Sequence, residues 1–341
     1  MSPRSLLPSS LLSLPLVARH AVGDLLSPPR DCDDDCWIKQ GELQGFTIYY
    51  KIEDGAKLTC RIESPIPTSH LVPLLSVLNE SELYETWIPS FHRPFKLGVT
   101  SSKQLATFSR GHQVIQVQCS VPYPISPREA LFDVVAVDDI DANGFIIAKM
   151  TTITQEMANN NLPGNFQFPG VTASFERCDF EGAVLFRACP ADHPNYASAQ
   201  QKFQMHNGND NDLILTTFAF SFDAKLRYIP QSLINFITRE ALGIIWNMLL
   251  KVAEQVRDGT RNEHCAIITQ KKEFYKWVQD RCQFMLQKIQ ADNNHHPNPN
   301  CGNVEKDAPS TAATASCCRP EDLDKRKEEP WTMHDIFRLW G

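Results

Sequence analysis

His92, His112 and Asp133 are the side chains of this chain best suited to acid–base chemistry, because a catalytic base needs a group poised near neutrality with a partner in hydrogen-bond reach. Their spacing is not diagnostic, and His112, between Gly111 and an apolar alternation, reads as an exposed turn residue. No GxSxG elbow, phosphate-binding glycine loop or HExxH helix is present to supply a nucleophile, a nucleotide site or zinc. Cys32 and Cys36 stand four apart beside Asp31, Asp33, Asp34 and Asp35, but a zinc site needs two further ligands and none is evident. His295-His296 falls in a polar tract and reads as solvated. No catalytic residue, no metal and no cofactor is expected, and the chain reads as a non-enzyme.

The elements that would position a site are mostly apolar. Of 341 residues 42% are hydrophobic and 21% charged, enough to bury a real core. A formal charge of −7 argues against nucleic acid as the partner, since phosphate binding needs a basic face. The eleven cysteines, an odd number with no CxxC pair, read as free thiols of a reducing compartment. No stretch approaches the ~20 apolar residues of a spanning helix. Residues 1–23 hold Arg4 and Arg19, several serines and no acid, with leucines interrupted by Pro8 and Pro15. That composition fits a disordered leader, and also an organelle transit peptide. The expected location is cytoplasmic, with peripheral membrane contact.

Residues 1–36 read as leader and acidic linker. Phe46–Ile52 and Lys57–Ile62 alternate with period two around Asp54-Gly55, the pattern of a hairpin. Thr68 or Ser69 is placed to cap a helix through Leu71, Leu74, Leu75 and Leu78, and a short helix is expected from Glu80 to Trp87. Strands are expected over Val114–Val121, Phe132–Val137 and Gly144–Ile153, then over Ala183–Ala188 and Leu213–Phe222. The Pro-rich stretch Val121–Glu129 is expected to end a strand and open a short helix, and Asp138–Asn143 to form a polar turn. A long helix follows from Pro230 to about Val256, apolar nearly all round. This order predicts an α+β fold in which a curved antiparallel β-sheet wraps around a long C-terminal helix. The domain would span 37–258. An appended amphipathic helix is expected over 259–290, with Tyr275, Val278, Cys282, Met285 and Ile289 on one stripe. A disordered linker over 291–329 and an apolar aromatic tail over 330–341 complete the chain.

Four stretches in this order resemble the START family of lipid-transfer domains: Trp37-Ile38 through Phe46-Thr47-Ile48-Tyr49, Leu83-Tyr84-Glu85-Thr86-Trp87-Ile88-Pro89, Pro122–Glu129, and Ile229–Asn235. The first resembles the family's opening helix and first strand, the last the start of its lid helix. The resemblance implies a helix-grip fold and a tunnel that sequesters a phospholipid, a sterol or another apolar lipid for transfer or sensing, with transient contact to a membrane surface. Cholesterol- and phosphatidylcholine-binding members of the family carry a buried arginine six residues beyond the Arg of the Arg-acid pair. Here that position is Val134, so neither headgroup contact transfers, and a less polar ligand or a differently placed polar group is implied. Arg128 and Glu129 read as structural, and Trp87 as a packing anchor with a choline cage as the alternative.

Burying a lipid requires long apolar faces, each methylene removed from water contributing about 0.8 kcal/mol. The expected lining is Trp87, Val117, Cys119 and Val134, with Phe218 and Phe220 from the last strand, and Leu233, Ile237, Ala241, Ile244 and Met248 from the long helix. Period two groups the strand residues into sets without fixing which face is inward. Two other readings stand beside this one. One is a polyketide-cyclase-like enzyme on the same scaffold. The other is a lipid-regulated interaction protein that docks on a membrane or protein through 330–341; Cys317-Cys318 reads as a chance pair in the polar tract, with acylation as the alternative.

Overall fold

Alternating β-branched and aromatic residues from Trp37 onward form one large antiparallel sheet. The computed structural model describes residues 25–26, 37–43, 45–53, 57–90, 98–121, 126–162, 166–171, 174–207, 212–223, 225 and 236–295. The strands are β1 (Ile38–Leu43), β2 (Phe46–Glu53), β3 (Lys57–Pro67), β4 (Gly98–Ser109), β5 (His112–Ser120), β6 (Arg128–Asp139), β7 (Phe145–Thr152), β8 (Glu176–Arg177), β9 (Asp179–Ala188) and β10 (Leu213–Asp223). Their order is β1-β2-β3-β10-β9-β7-β6-β5-β4, with two-residue β8 laid parallel on β6. β1 and β4 are therefore the two edges, β1 carrying one register irregularity and β4 three.

The helices are α1 (Leu71–Asn79), α2 (Tyr84–Trp87), α3 (Ile140–Asn143), α4 (Gln155–Asn161), α5 (Tyr196–Asn207), α6 (Leu242–Arg257, entered by a π-turn at Ile237–Ala241), α7 (Asn262–Gln270) and α8 (Lys272–His295). The main core lies between one face of the sheet and α1, α6 and α8. It joins Phe46, Ile48, Ile62, Ile66 and Phe186 to Leu74, Trp246, Leu249, Cys282 and Met285. The fold class is α+β, an antiparallel sheet gripping α6, as the element order predicts.

The outer face carries smaller clusters. Leu25 covers Phe145, Ile147, Ala183 and Leu185, its carbonyl accepting from Arg61 Nη2 at 3.1 Å. The Arg61 guanidinium is paired with Glu63 at 2.5 Å, both buried. A third cluster joins Val114 to Ile153 and Ala158.

Several sequence expectations need correction. Ile38–Leu43 is a strand rather than an opening helix, because its backbone pairs with β2. Arg128 opens β6 rather than sitting on a short helix. Its neighbours Cys119 and Glu176 hold it from both sides in register, and residues 122–125 lie outside the described residues. Neither Thr68 nor Ser69 caps α1: a 3-10 turn precedes the helix, and no side-chain cap bond is made. The polar turn after β6 includes one helical turn, closed by Gly144 at φ 72°, a left-handed position that suits glycine. The appended helix is two, broken at Lys271, and its stripe Tyr275, Cys282, Met285 and Ile289 is buried as expected. The start of the long helix, including Leu233, lies outside the described residues, as does the tail 330–341.

Candidate functional site: the aromatic end of the inward sheet face

Strand pairing decides what period two could not. On β10 the inward residues are Ile214, Thr216, Phe218, Phe220 and Phe222, opposite Ala188, Phe186, Val184, Gly182 and Phe180 of β9. β9 passes the row to β7, where Gly182 faces Met150 and Val184 faces Ala148. β7 passes it to β6, with Met150 opposite Val134 and Thr152 opposite Phe132. β5 continues it, Ile115 facing Phe132, Val117 facing Ala130 and Cys119 facing Arg128. Val117, Cys119, Val134, Phe218 and Phe220 therefore share one face, the face that carries the main core.

That face is not uniform. Along β10, Leu213–Thr217 are buried and Phe218–Asp223 only half-buried. At the second end the aromatic rings form a row. Phe218 lies 5.0 Å from Phe220, Phe220 stacks on Phe180 at 5.5 Å, and Phe180 meets Phe132 edge-on at 5.2 Å. Two small residues make the row possible. A Cβ on Gly182 would sit 2.9 Å from both the Phe180 ring and the Phe220 Cβ, so only glycine lets these rings close over the strand. Thr152, between β9 and β6, turns its hydroxyl to the Phe180 backbone, accepting from its N–H at 2.7 Å and donating to its carbonyl at 3.0 Å. Phe132, Val134, Met150, Phe180, Phe218 and Phe220 all keep part of their surface accessible on a face that is elsewhere sealed.

Helix α6 packs on the same core cluster whose edge Phe218 and Phe220 reach. Its buried stripe is Leu242, Trp246, Leu249, Ala253 and Val256, and its exposed side runs through Glu240, Asn247, Lys251 and Glu254. Ile237, Ile245 and Met248 lie between the two and pack on the core's edge, and Ala241 is buried. The reading of this helix as apolar nearly all round is corrected by its exposed polar side. Ile244 is 40% exposed rather than inward, because a residue two steps from both Leu242 and Trp246 falls on the far side of the helix. Ile245 occupies the inward flank in its place.

Trp87 is in the main core, edge-on to Tyr84 at 5.8 Å. Val117 is buried and Val134 half-buried on the inward face. Half-buried Cys119 stands opposite Arg128, and burial pushes its thiol up to about 12. Cys60 and Cys178 are likewise held protonated by burial, up to about 12 and about 11. Burial thus favours the thiol over the thiolate at all three positions, Cys60 within the main core.

Charge is confined to the margin of the wall. Arg128 is buried, donating to the Ser126 carbonyl at 2.6 Å and paired with Glu176 at 2.9 Å. Glu129, fully buried, accepts from Gln116, Gln118 and Arg177 at 2.8, 2.9 and 3.2 Å. The Arg-acid pair thus joins strands instead of a helix.

His112 is corrected too: it is not an exposed turn residue. Its Nε2 lies 2.6 Å from Asp133 Oδ1, and the side chains are only 21% and 25% exposed. Asp133 alternates with Phe132 and Val134, so the pair sits on the outer face of the sheet. His92 lies outside the described residues. No cluster of metal-ligating side chains occurs among the described residues.

The sequence reading missed Phe180, Gly182, Met150 and Ile245. The alternation Phe180, Gly182, Val184, Phe186 was available, but an interior glycine reads as a strand end.

Among solved structures the chain is similar to human StAR-related lipid transfer protein 5, at TM-score 0.46 and 13% identity over 70% of this chain and 94% of that one. It is similar also to human STARD10, at TM-score 0.43 and 13% identity over 66% and 76%. A STAR-related lipid transfer protein fragment from Xanthomonas axonopodis matches at TM-score 0.42 and 16% identity over 64% and 99%. No family model and no curated protein matches the chain. The helix-grip description rests on the strand order and register above.

Proposed function

We propose that this chain binds a lipid against the aromatic end of the inward sheet face, under α6, and carries or senses it without chemical change. The observation that supports the reading is the switch along β10, where one alternating apolar row passes from sealed core to half-exposed wall within a single strand. Apolar side chains on an inward face gain by covering what they expose, at about 25 cal/mol per Å². A ligand with an apolar body supplies that cover.

The wall's chemistry sets the ligand class. Val134, Met150, Phe132 and Phe218 offer no polar group, and Arg128 is already engaged by Glu176 and the Ser126 carbonyl. A neutral or weakly polar lipid fits this better than one held by a charged headgroup contact. Loading would take place at a membrane surface. Ile38 and Ile52, 49% and 42% exposed near the same end of the sheet, are suited to that contact. No helix among the described residues is long and apolar enough to cross a membrane.

Organic extraction of the purified full-length protein followed by mass spectrometry tests the proposal. A lipid at about one equivalent is the expected result, with uptake from neutral vesicles if the protein is purified empty. Protein that is clean and also takes up nothing would end the carrier reading. Turnover of a polyketide substrate by that same protein would favour the cyclase alternative.

A further inference from the structure

A second apolar space lies at the opposite end of the molecule, between α8, α1 and the β6–β7 turn. Its volume is about 100 Å³, and its walls include Leu75, Ile146, Tyr275, Trp277, Val278 and Cys282. The polar groups that reach it are already committed. Tyr275 donates its hydroxyl to Glu80 Oε1, and Asn79 Nδ2 donates to the same carboxylate at 3.0 Å. Asp138 is bound by Arg281 at 2.5 Å. Water entering such a space finds few partners, and an apolar cavity of roughly 150 Å³ is known to stay dry and accept benzene. A space somewhat smaller suits a single ring or one branched chain, far short of a whole lipid.

The space is open to the surface, since only Tyr275 and Cys282 of its lining are buried, and Phe274, Trp277 and Arg281 form its rim. Arg110, exposed at the β4–β5 turn, places its guanidinium 5.4 Å from the centre of the Trp277 ring. Among the described residues no carboxylate pairs with Arg110, whereas Arg281 is paired with both Asp138 and Asp141. The rim therefore presents the Arg110 charge, unpaired among the described residues, beside a mainly apolar space.

We infer that this cavity is a binding site for a small carboxylic acid, its single ring or branched chain in the hole and its carboxylate at Arg110. The site is lined by α8, α1 and the β6–β7 turn and by no residue of the aromatic row, so it is separate from that wall and stands whether or not the wall holds a lipid. Occupancy would tie α8 to α1 and the sheet through one ligand.

Titration of the full-length protein with benzoate and with toluene, followed by ligand-observed NMR, tests it. Both probes are expected to bind saturably, benzoate about two- to fivefold more tightly, the gain an exposed charge contact supplies. Arg110→Ala should remove that difference and leave toluene binding unchanged. Val278→Trp fills the hole and should abolish binding of both probes, Val278→Met fills part of it and should weaken both, while Phe220→Ala at the distant wall should not alter it. The methionine variant adds little volume, so its weakening reports even if the tryptophan variant does not fold. Absence of saturable binding to the wild type would overturn the inference. So would binding that is unweakened in folded Val278 variants, or that is lost in Phe220→Ala instead.

Discussion

The two halves of β10 are made from the same kind of alternation and end in different states. Ile214 and Thr216 are sealed with Phe186, Ile66 and Leu74, whereas Phe218, Phe220 and Phe222 keep half-open surface. Intrinsic strand preference cannot separate them. The partner does: among the described residues α1, α6 and α8 join the first half in the main core, whereas Phe218 and Phe220 pack at its edge and on neighbouring rings. An apolar row becomes core or wall according to what is laid against it, and the residue types alone carry no record of which.

That contrast can be broken at its strongest point first. Phe186→Ala, in the sealed half, should cost about 3–5 kcal/mol in chemical denaturation, the usual range for a buried phenylalanine. Gly182→Ala should follow at about 1–3 kcal/mol, because the new methyl group drives the Phe180 and Phe220 rings apart. The same substitution should lower lipid content as the aromatic row loses its shape. Phe220→Ala should cost about 1 kcal/mol or less beyond its partial burial, yet reduce the lipid recovered by extraction severalfold. If Phe220→Ala destabilises as much as Phe186→Ala, the second half of the strand is core and the contrast disappears.

The smallest effect concerns pH at the packed end. His264 on α7 is buried with no hydrogen-bond partner at either ring nitrogen. Burial, reinforced by nearby Arg261, holds its imidazole below the usual histidine range. The unfolded chain therefore binds the proton more readily, and stability rises with pH. His264's contribution is complete above about 6.5 and is lost as pH falls below that toward the lowered folded value. His264→Leu should flatten the loss of melting temperature between about pH 7 and 5. An unchanged slope would place the titration elsewhere.

Much of the fold was legible in the sequence because its signals are local. The β2–β3 hairpin follows from Asp54-Gly55 between two alternating runs, and the α8 stripe from apolar residues at helical spacing. β4 escaped notice because Gly98–Ser109 is an edge strand, polar on much of its length and irregular in register. The helices at 155–161 and 196–207 are short or weakly amphipathic and read as loop. For the site, alternation named Phe218, Phe220 and Val134 but could not bring them together, since register is a property of pairs of strands. On α6 the apolar residues spread widely enough that Ile244 and Ile245 were equally good continuations. Only the contact with α1 distinguishes them.

The sheet's openness has a mechanical consequence. Nine strands lie side by side from β1 to β4 without joining end to end, so the interior can widen by spreading the two margins while each existing ladder stays intact. The offsets in β1 and β4 disturb the regular spacing that a foreign strand would need to attach there. A sheet built in this way can change its curvature while leaving its backbone bonds unbroken.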